Sequence, residues 1–220
     1  MSKESTEIII CQQGLVLHPD KALFWKEENT LILSDPHFSK TAHFRKNGIA
    51  VPASVDDNNY RIMDQLIDLF EPSRLLILGD LFHSDYNNEM QEFGKWRDRN
   101  SALEIELTLG NHDKLDPYFY SLLGISAHNY IKEGPFFFTH DPDDLKEDPE
   151  GYFMHGHIHP SVKIRGRGRQ SVYLPCFLFR EEYSILPSFG GFTGTHRIEH
   201  KTGDRVYAIL EDQVLELAAK

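Results

Sequence analysis

The chain has 220 residues, with 23 lysines and arginines against 34 aspartates and glutamates, giving a formal charge of −11. It is 40% hydrophobic, 12% aromatic and 26% charged, which excludes a disordered or fibrous polymer and describes one globular domain over residues 1–220. The acidic balance argues against a protein held to nucleic acid by bulk charge alone, while leaving room for an enzyme whose basic residues are local.

In chain order, Glu7–Leu17 reads as a strand, paired in a hairpin with Ala22–Trp25. Leu31–Ser34 is a short continuous apolar run, the pattern of a strand buried on both faces. Ser54–Phe70 reads as a helix, because Ile62, Leu66 and Phe70 recur every four residues and Ser54, Asp56 and Asp57 supply caps. Leu75–Leu78 is a second buried strand, Asn88–Leu103 a second helix, Ile105–Leu109 a third strand, Leu115–Leu123 a short helix and Phe136–Thr139 a fourth strand. Asp141–Glu150 is an acidic, proline-containing loop. The rest is β-rich, with strands expected at Val162–Arg165, Ser171–Phe179, Tyr183–Leu186, Arg205–Leu210 and Gln213–Leu217. Strand–helix alternation followed by consecutive strands predicts an α/β sandwich of two facing sheets flanked by helices.

The twelve histidines are not spread evenly. Four apolar strands run straight into residues that ligate metals: Asp35-Pro36-His37, Gly79-Asp80-Leu81-Phe82-His83, Gly110-Asn111-His112-Asp113, and His140. Gly156-His157-Ile158-His159-Pro160 follows. Strand C-termini are where open α/β sheets collect ligands. In an extended segment, residues i and i+2 project to one side, so Asp35 and His37 could meet one ion, as could His157 and His159. The glycines before Asp80, Asn111 and His157 allow close approach. Asp, Asn and His without thiolate suit Mn, Fe, Zn or Mg. Seven candidates, Asp35, His37, Asp80, Asn111, His140, His157 and His159, exceed the three or four protein ligands of one catalytic zinc. They fit two ions ~3.5–4 Å apart that share a carboxylate and clamp a phosphoryl group.

These blocks resemble those of the calcineurin-like metallophosphoesterases: D-x-H, G-D-x-x-D/H, G-N-H-D/E, G-H and G-H-x-H. Thr139 stands where the family has glycine before His140. The resemblance implies one metal held by Asp35, His37 and His159 and another by Asn111, His140 and His157, with Asp80 between them. It implies two divalent ions, manganese foremost, and a water they activate to attack phosphorus. His112 would be the catalytic histidine facing the phosphate, and Asp113 would orient it. The His83 block is similar to that of double-strand-break repair nucleases, which implies a place for His83 near the phosphate; hydrogen-bonding a ligand is the alternative.

Further motifs, Ser39-Lys40, Phe44–Ile49, Val51-Pro52, Leu174–Phe177 and Leu186–Gly194, look like the bacterial ligase-associated DNA-damage-response endonuclease subfamily. Gly190, Gly191 and Gly194 could equally serve a tight turn beside the core. The subfamily resemblance implies an endonuclease acting on single-stranded DNA in repair, with a DNA ligase, helicase or exonuclease as partners. Lys163, Arg165, Arg167 and Arg169 alternate just after His159, and in a strand they share one face. With Lys40, Arg45 and Lys46 they could form a track for a polyanion, or they could simply solubilise an exposed hairpin. A phosphatase or phosphodiesterase for small nucleotides or lipid-linked diphosphates is the alternative function. A scaffold on the same fold is a third, disfavoured because His112 is present. No apolar stretch reaches the ~18–20 residues of a membrane helix, and the polar Met1–Glu7 does not read as a secretory signal. Cys11 and Cys176 are expected to be two buried thiols in a reducing cytoplasm.

Overall fold

The apolar runs seen in the sequence become strands because each can be buried on both faces at once. In the computed structural model, which describes residues 3–38, 54–82, 88–145, 150–166, 170–191 and 193–218, β4 (Thr30–Ser34) is buried at every position. The strand β5 (Arg74–Leu78) is buried over four of its five residues. They lie in a seven-stranded sheet ordered β1-β2-β3-β4-β5-β6-β7, with β1 (Thr6–Ile10), β2 (Gln13–His18), β3 (Ala22–Trp25), β6 (Glu104–Thr108) and β7 (Ile125–His128). The first four strands pair antiparallel and the last four parallel. Parallel pairs need crossovers, and α1 (Ser54–Phe70), α2 (Asn88–Arg99) and α3 (Pro117–Leu122) supply them. The apolar stripe of α1, with Met63 and Leu66 deepest, packs with Phe93 and Trp96 of α2 over Leu31, Leu33, Leu75 and Ile77.

The second sheet has nine strands. Its path is β14 (His196–Arg197), β11 (Pro160–Arg165), β12 (Ser171–Phe179), β13 (Tyr183–Ile185), β10 (Tyr152–His155), β9 (Phe136–Phe138) and β8 (Ile131–Glu133). The hairpin of β15 (Arg205–Ile209) and β16 (Val214–Leu217) joins at β12. The two sheets face each other across a core of Leu17, Trp25, Ile32, Leu76 and Leu78 against Phe136, Phe138, Met154, Phe177 and Tyr207. At ~1.5–3 kcal/mol for each fully buried large side chain, this layer is a principal source of stability.

Several expectations change. The segment Glu7–Leu17 is two strands, because Cys11 and Gln12 turn left-handed (φ 49° and 64°) and close a two-residue hairpin. Nothing in a Cys-Gln pair signals that turn. Cys11 at this tip is exposed, not buried; Cys176 is buried as expected. The second helix stops at Arg99 and the third begins at Pro117 with Asp116 as its cap. The strands β7, β8, β10 and β14 are additional to the expected ones; β7 and β8 lack the continuous apolar run that marks the equally short β9.

Register sets up the site. Ser34, Leu78 and Thr108 are level across β4, β5 and β6. Phe138 is level with Met154, and His155 with Ile185. The segments leaving these strands therefore emerge side by side, from both sheets, at one edge of the sandwich.

Candidate metal centre

Asp35 follows β4, Asp80 follows β5, Asn111 and His112 follow β6, His140 follows β9, and His157 and His159 follow β10. The structure brings all of them together. Asp35 Oδ1 lies 3.1 Å from His159 Nε2 and 3.7 Å from His140 Nδ1. Asp80 Oδ2 lies 3.7 Å from His37 Nε2 on one side and 3.6 Å from His140 Nε2 on the other. His140 Nε2 is 3.1 Å from both Asn111 Oδ1 and His157 Nδ1. Two overlapping ligand groups result: Asp35, His37 and His159, and Asp35, Asp80 and His140.

The i, i+2 spacing works for a reason other than an extended backbone. Asp35, His37, Asp80, His157 and His159 all have left-handed backbones, with φ between 46° and 64°. Such conformations cost a non-glycine residue ~1–2 kcal/mol each, and persist only when the surroundings over-determine them. Here they do. His37 and Phe38 donate their backbone N–H groups to the carbonyls of Asp80 and Leu81, both at 2.9 Å. The His157 N–H donates to Asp35 Oδ2 at 3.1 Å, and the Gly156 N–H to the His140 carbonyl at 3.1 Å.

The glycines make the close approach possible. A Cβ on Gly79, itself at φ +72°, would sit 2.2 Å from His140 Nδ1. A Cβ on Gly156 would sit 2.0 Å from the Ser34 hydroxyl and 2.5 Å from Asp35 Oδ2. Ring orientations are fixed from behind. His140 Nδ1 donates to the Leu78 carbonyl at 3.1 Å and His159 Nδ1 to the Gly194 carbonyl at 3.0 Å. Each arrangement leaves Nε2 facing the cluster, which is how ligating histidines are held.

Electrostatics agree. Burial pushes the Asp35 carboxyl upward, but the hydrogen bond and charge of His159, the nearby His140 and the Ser34 hydroxyl outweigh it and hold it below its ordinary value. A fully buried carboxylate kept ionised among imidazoles is suited to a cation. The donor set and the tautomers fit divalent cations, and Asp80 Oδ2 lies between His37 and His140. His155, buried nearby, is pushed down to about 4, chiefly by burial, and stays neutral.

His112 stands at the mouth of the cluster. Its backbone N–H donates to Asp80 Oδ1 at 2.9 Å, and its ring meets that of His37 edge-on with centroids 5.5 Å apart. Asp113, expected to orient His112, is bonded to backbone groups of the neighbouring loops. Its Oδ2 accepts from the backbone N–H groups of Asp80 (2.7 Å) and Gly110 (2.9 Å), and its Oδ1 from Leu81 N–H (3.0 Å) and the Tyr120 hydroxyl (3.3 Å). It ties one ligand loop to another. Burial raises its carboxyl to about 6, with the Asp80 charge adding and the backbone donors opposing. Thr139, in place of the family's glycine, is buried, and its hydroxyl donates to the Asp141 carbonyl at 3.4 Å.

Within the Leu186–Gly194 motif, Ser188, Phe189 and Gly190 lie against the first ligand loop. Ser188 Oγ donates to the Asp35 carbonyl at 2.8 Å, and the Phe189 N–H to the Ser34 carbonyl at 2.7 Å. A Cβ on Gly190 would sit 2.7 Å from the Pro36 carbonyl. Ser34, Ser188 and Tyr120 support ligands without any metal-ligand signature of their own. Of the three, only Ser188 carries a signal in the sequence, through the motif around it.

His83, Lys40, Arg45 and Arg167 lie outside the described residues, as do Lys46 and Arg169. Lys163 and Arg165 lie on β11, which leads directly away from His159. Arg165 is exposed, and Lys163 lies over the Tyr173 ring of the paired β12, 5.7 Å from its centroid. No helix among the described residues is long and apolar enough to cross a membrane.

Comparison with known proteins gives the family. Residues 29–215 match the model of the calcineurin-like phosphoesterases. Among solved structures, the Pseudomonas putida nuclease MPE superposes with a TM-score of 0.81 at 28% identity, covering 97% of this chain and 100% of that one. Yfce, a phosphoesterase from E. coli, is more distant, with a TM-score of 0.44 at 14% identity, covering 87% of this chain and 99% of that one. No curated protein sequence matches the chain. With the family match spanning most of the sequence and the ligand cluster assembled at the strand ends, the chain belongs to the calcineurin-like phosphoesterase family and is a metal-dependent phosphoesterase.

Proposed function

We propose that the protein is a dinuclear phosphodiesterase that cleaves single-stranded DNA as an endonuclease in repair, with manganese as the working metal. The observation that carries the two-ion reading is Asp80 Oδ2, 3.7 Å from His37 and 3.6 Å from His140. The nuclease reading is supported by the likeness to the Pseudomonas putida nuclease MPE, which extends over nearly all of both chains.

Asp35, His37 and His159 would hold one ion and Asn111, His140 and His157 the other, with Asp80 shared. When bound, such a pair acidifies a water and neutralises charge on the phosphoryl group. The chain's own residues do the rest. Leu78 and Gly194 keep the His140 and His159 rings in their ligating tautomers. Asp113 holds the Asp80 and Gly110 backbones. His112 at the cluster mouth contacts the substrate phosphate, stabilises its developing charge and, when protonated, donates to the leaving oxygen. Lys163 and Arg165 would carry the strand away from the site through phosphate contacts. A DNA ligase, helicase or exonuclease is the class of partner this reading implies, and the cytoplasm its place.

The test compares a labelled single-stranded oligonucleotide with bis-p-nitrophenyl phosphate, using manganese-loaded protein and a His112→Ala control. Oligonucleotide cleavage that disappears in the variant supports the proposal. Hydrolysis of the small diester alone would overturn the DNA assignment and favour small nucleotides or lipid-linked diphosphates.

A further inference from the structure

A cavity of about 630 Å³ opens beside the Asn111 edge of the ligand cluster. That size suits a small organic group. Gly110 and Asn111 form its inner wall, and Tyr130, Phe137, Asn129 and Asp144 its outer walls. Tyr130 is 51% exposed and lines this cavity. Its ring is not loose: it stacks on Phe137 with centroids 4.7 Å apart and planes 23° from parallel. Phe137 is buried and packs in turn on Phe153 at 5.2 Å. The pair presents a rigid aromatic platform, which costs little entropy to use.

The chemistry of the walls narrows the occupant. Among the described lining residues there is no lysine or arginine, while Asp141 and Asp144 are present. A second phosphate would be repelled. A neutral, flat group with hydrogen-bond donors would be favoured. Asp141 is already engaged, accepting from the Asp143 N–H at 3.1 Å and lying 3.5 Å from His157 Nε2. Asp144 and Asn129 line the cavity and are exposed.

We propose that this cavity is a nucleobase subsite, taking the base of the nucleotide next to the scissile phosphate. Tyr130 stacks on the base, and Asp144 accepts from its exocyclic amino group. Adenine, cytosine and guanine carry an exocyclic amine and thymine does not, so the subsite discriminates against thymine. The inference rests on the nucleic-acid reading above and specifies what that site would recognise.

The test uses the full, manganese-loaded chain and three chromogenic diesters: the p-nitrophenyl esters of dAMP and dTMP, and methyl p-nitrophenyl phosphate, which has no base. Tyr130→Ala is expected to lower kcat/KM about tenfold on the dAMP ester and leave the methyl ester unchanged, while Tyr130→Phe retains activity. Asp144→Asn is expected to narrow the preference for dAMP over dTMP. Direct binding of dAMP to the metal-free protein by calorimetry should weaken in Tyr130→Ala, with deoxyribose 5-phosphate unaffected. Equal activity of wild type and Tyr130→Ala on the dAMP ester would overturn the subsite, as would an equal loss on both esters. Wild-type protein that hydrolyses the small esters but leaves an oligonucleotide intact would instead overturn the nuclease reading, and the ester selectivities would still decide the cavity.

Discussion

Asp113 holds Asp80 by its backbone: Asp113 Oδ2 accepts the Asp80 N–H at 2.7 Å. The same oxygen accepts the Gly110 N–H at 2.9 Å, so one buried carboxylate fixes the two loops that carry Asp80 and Asn111. Asp113→Ala is therefore expected to weaken metal retention ~10–100-fold, the range for outer partners of metal ligands. His112→Ala is expected to keep its metal and lose turnover. Metal content after dialysis, measured beside kcat, separates the two roles.

Gly156 leaves no room for a side chain. An added methyl would meet Ser34 Oγ, Asp35 Oδ2 and, at 3.1 Å, the Leu78 carbonyl. Backbone and buried carboxylate cannot swing aside, so Gly156→Ala should destabilise the fold by ~1–3 kcal/mol and lower metal affinity. Urea unfolding with and without manganese checks both. An unchanged midpoint would show that the loop can yield.

The hairpin of β11 and β12 bears on substrate length. If Lys163 and Arg165 bind phosphates, replacing both with alanine should weaken oligonucleotide binding. The slope of log K against log salt should shrink by ~0.7 for each phosphate that is no longer neutralised on a single strand. Hydrolysis of bis-p-nitrophenyl phosphate should not change. Binding titrations at several salt concentrations give the slope.

His18 makes the fold acid-sensitive at a place remote from the metals. It is 3% exposed, and its Nδ1 accepts the Asp20 N–H at 3.1 Å. Burial lowers its pKa from 6.5; Asp20 opposes this and Lys3 adds to it. The folded state thus binds fewer protons here than the unfolded chain. The stabilisation is present above about pH 6.5 and is lost as pH falls below it. His18→Gln should lose less stability than wild type between pH 7.5 and 5, measured by thermal melts on metal-free protein. Equal losses would remove His18 from the account.

The two thiols should differ in reactivity. Burial pushes Cys176 up to about 12, whereas Cys11 lies exposed at a hairpin tip. At pH 8 a disulfide reagent should titrate one thiol in native protein and two after denaturation.

Much of the centre was legible because metal ligation demands particular residue types at strand ends. Asp35, Asp80, Asn111 and His140 each follow a short, largely apolar run of strand length. The glycines signalled close approach, and the contacts at Gly79 and Gly156 give the cause. Less legible was anything carried by backbone groups. Asp113 follows His112 in the chain, and nothing in the sequence signals that its oxygens accept from amides 32 and 33 positions away. The carbonyls of Leu78 and Gly194 that set the histidine tautomers have no side-chain signature at all. The Cys11–Gln12 turn is hidden for a related reason: it takes the left-handed backbone without the glycine or asparagine that would advertise it.

In the proposed centre, Asp80 is a carboxylate shared by two ions. The most direct measurement is manganese stoichiometry per chain, with electron paramagnetic resonance to detect coupling, in wild type and Asp80→Asn. Two ions per chain with a coupled signal, reduced to one uncoupled ion or none in the variant, is the predicted result. A single ion in wild type, or a coupled pair that survives in Asp80→Asn, would contradict it.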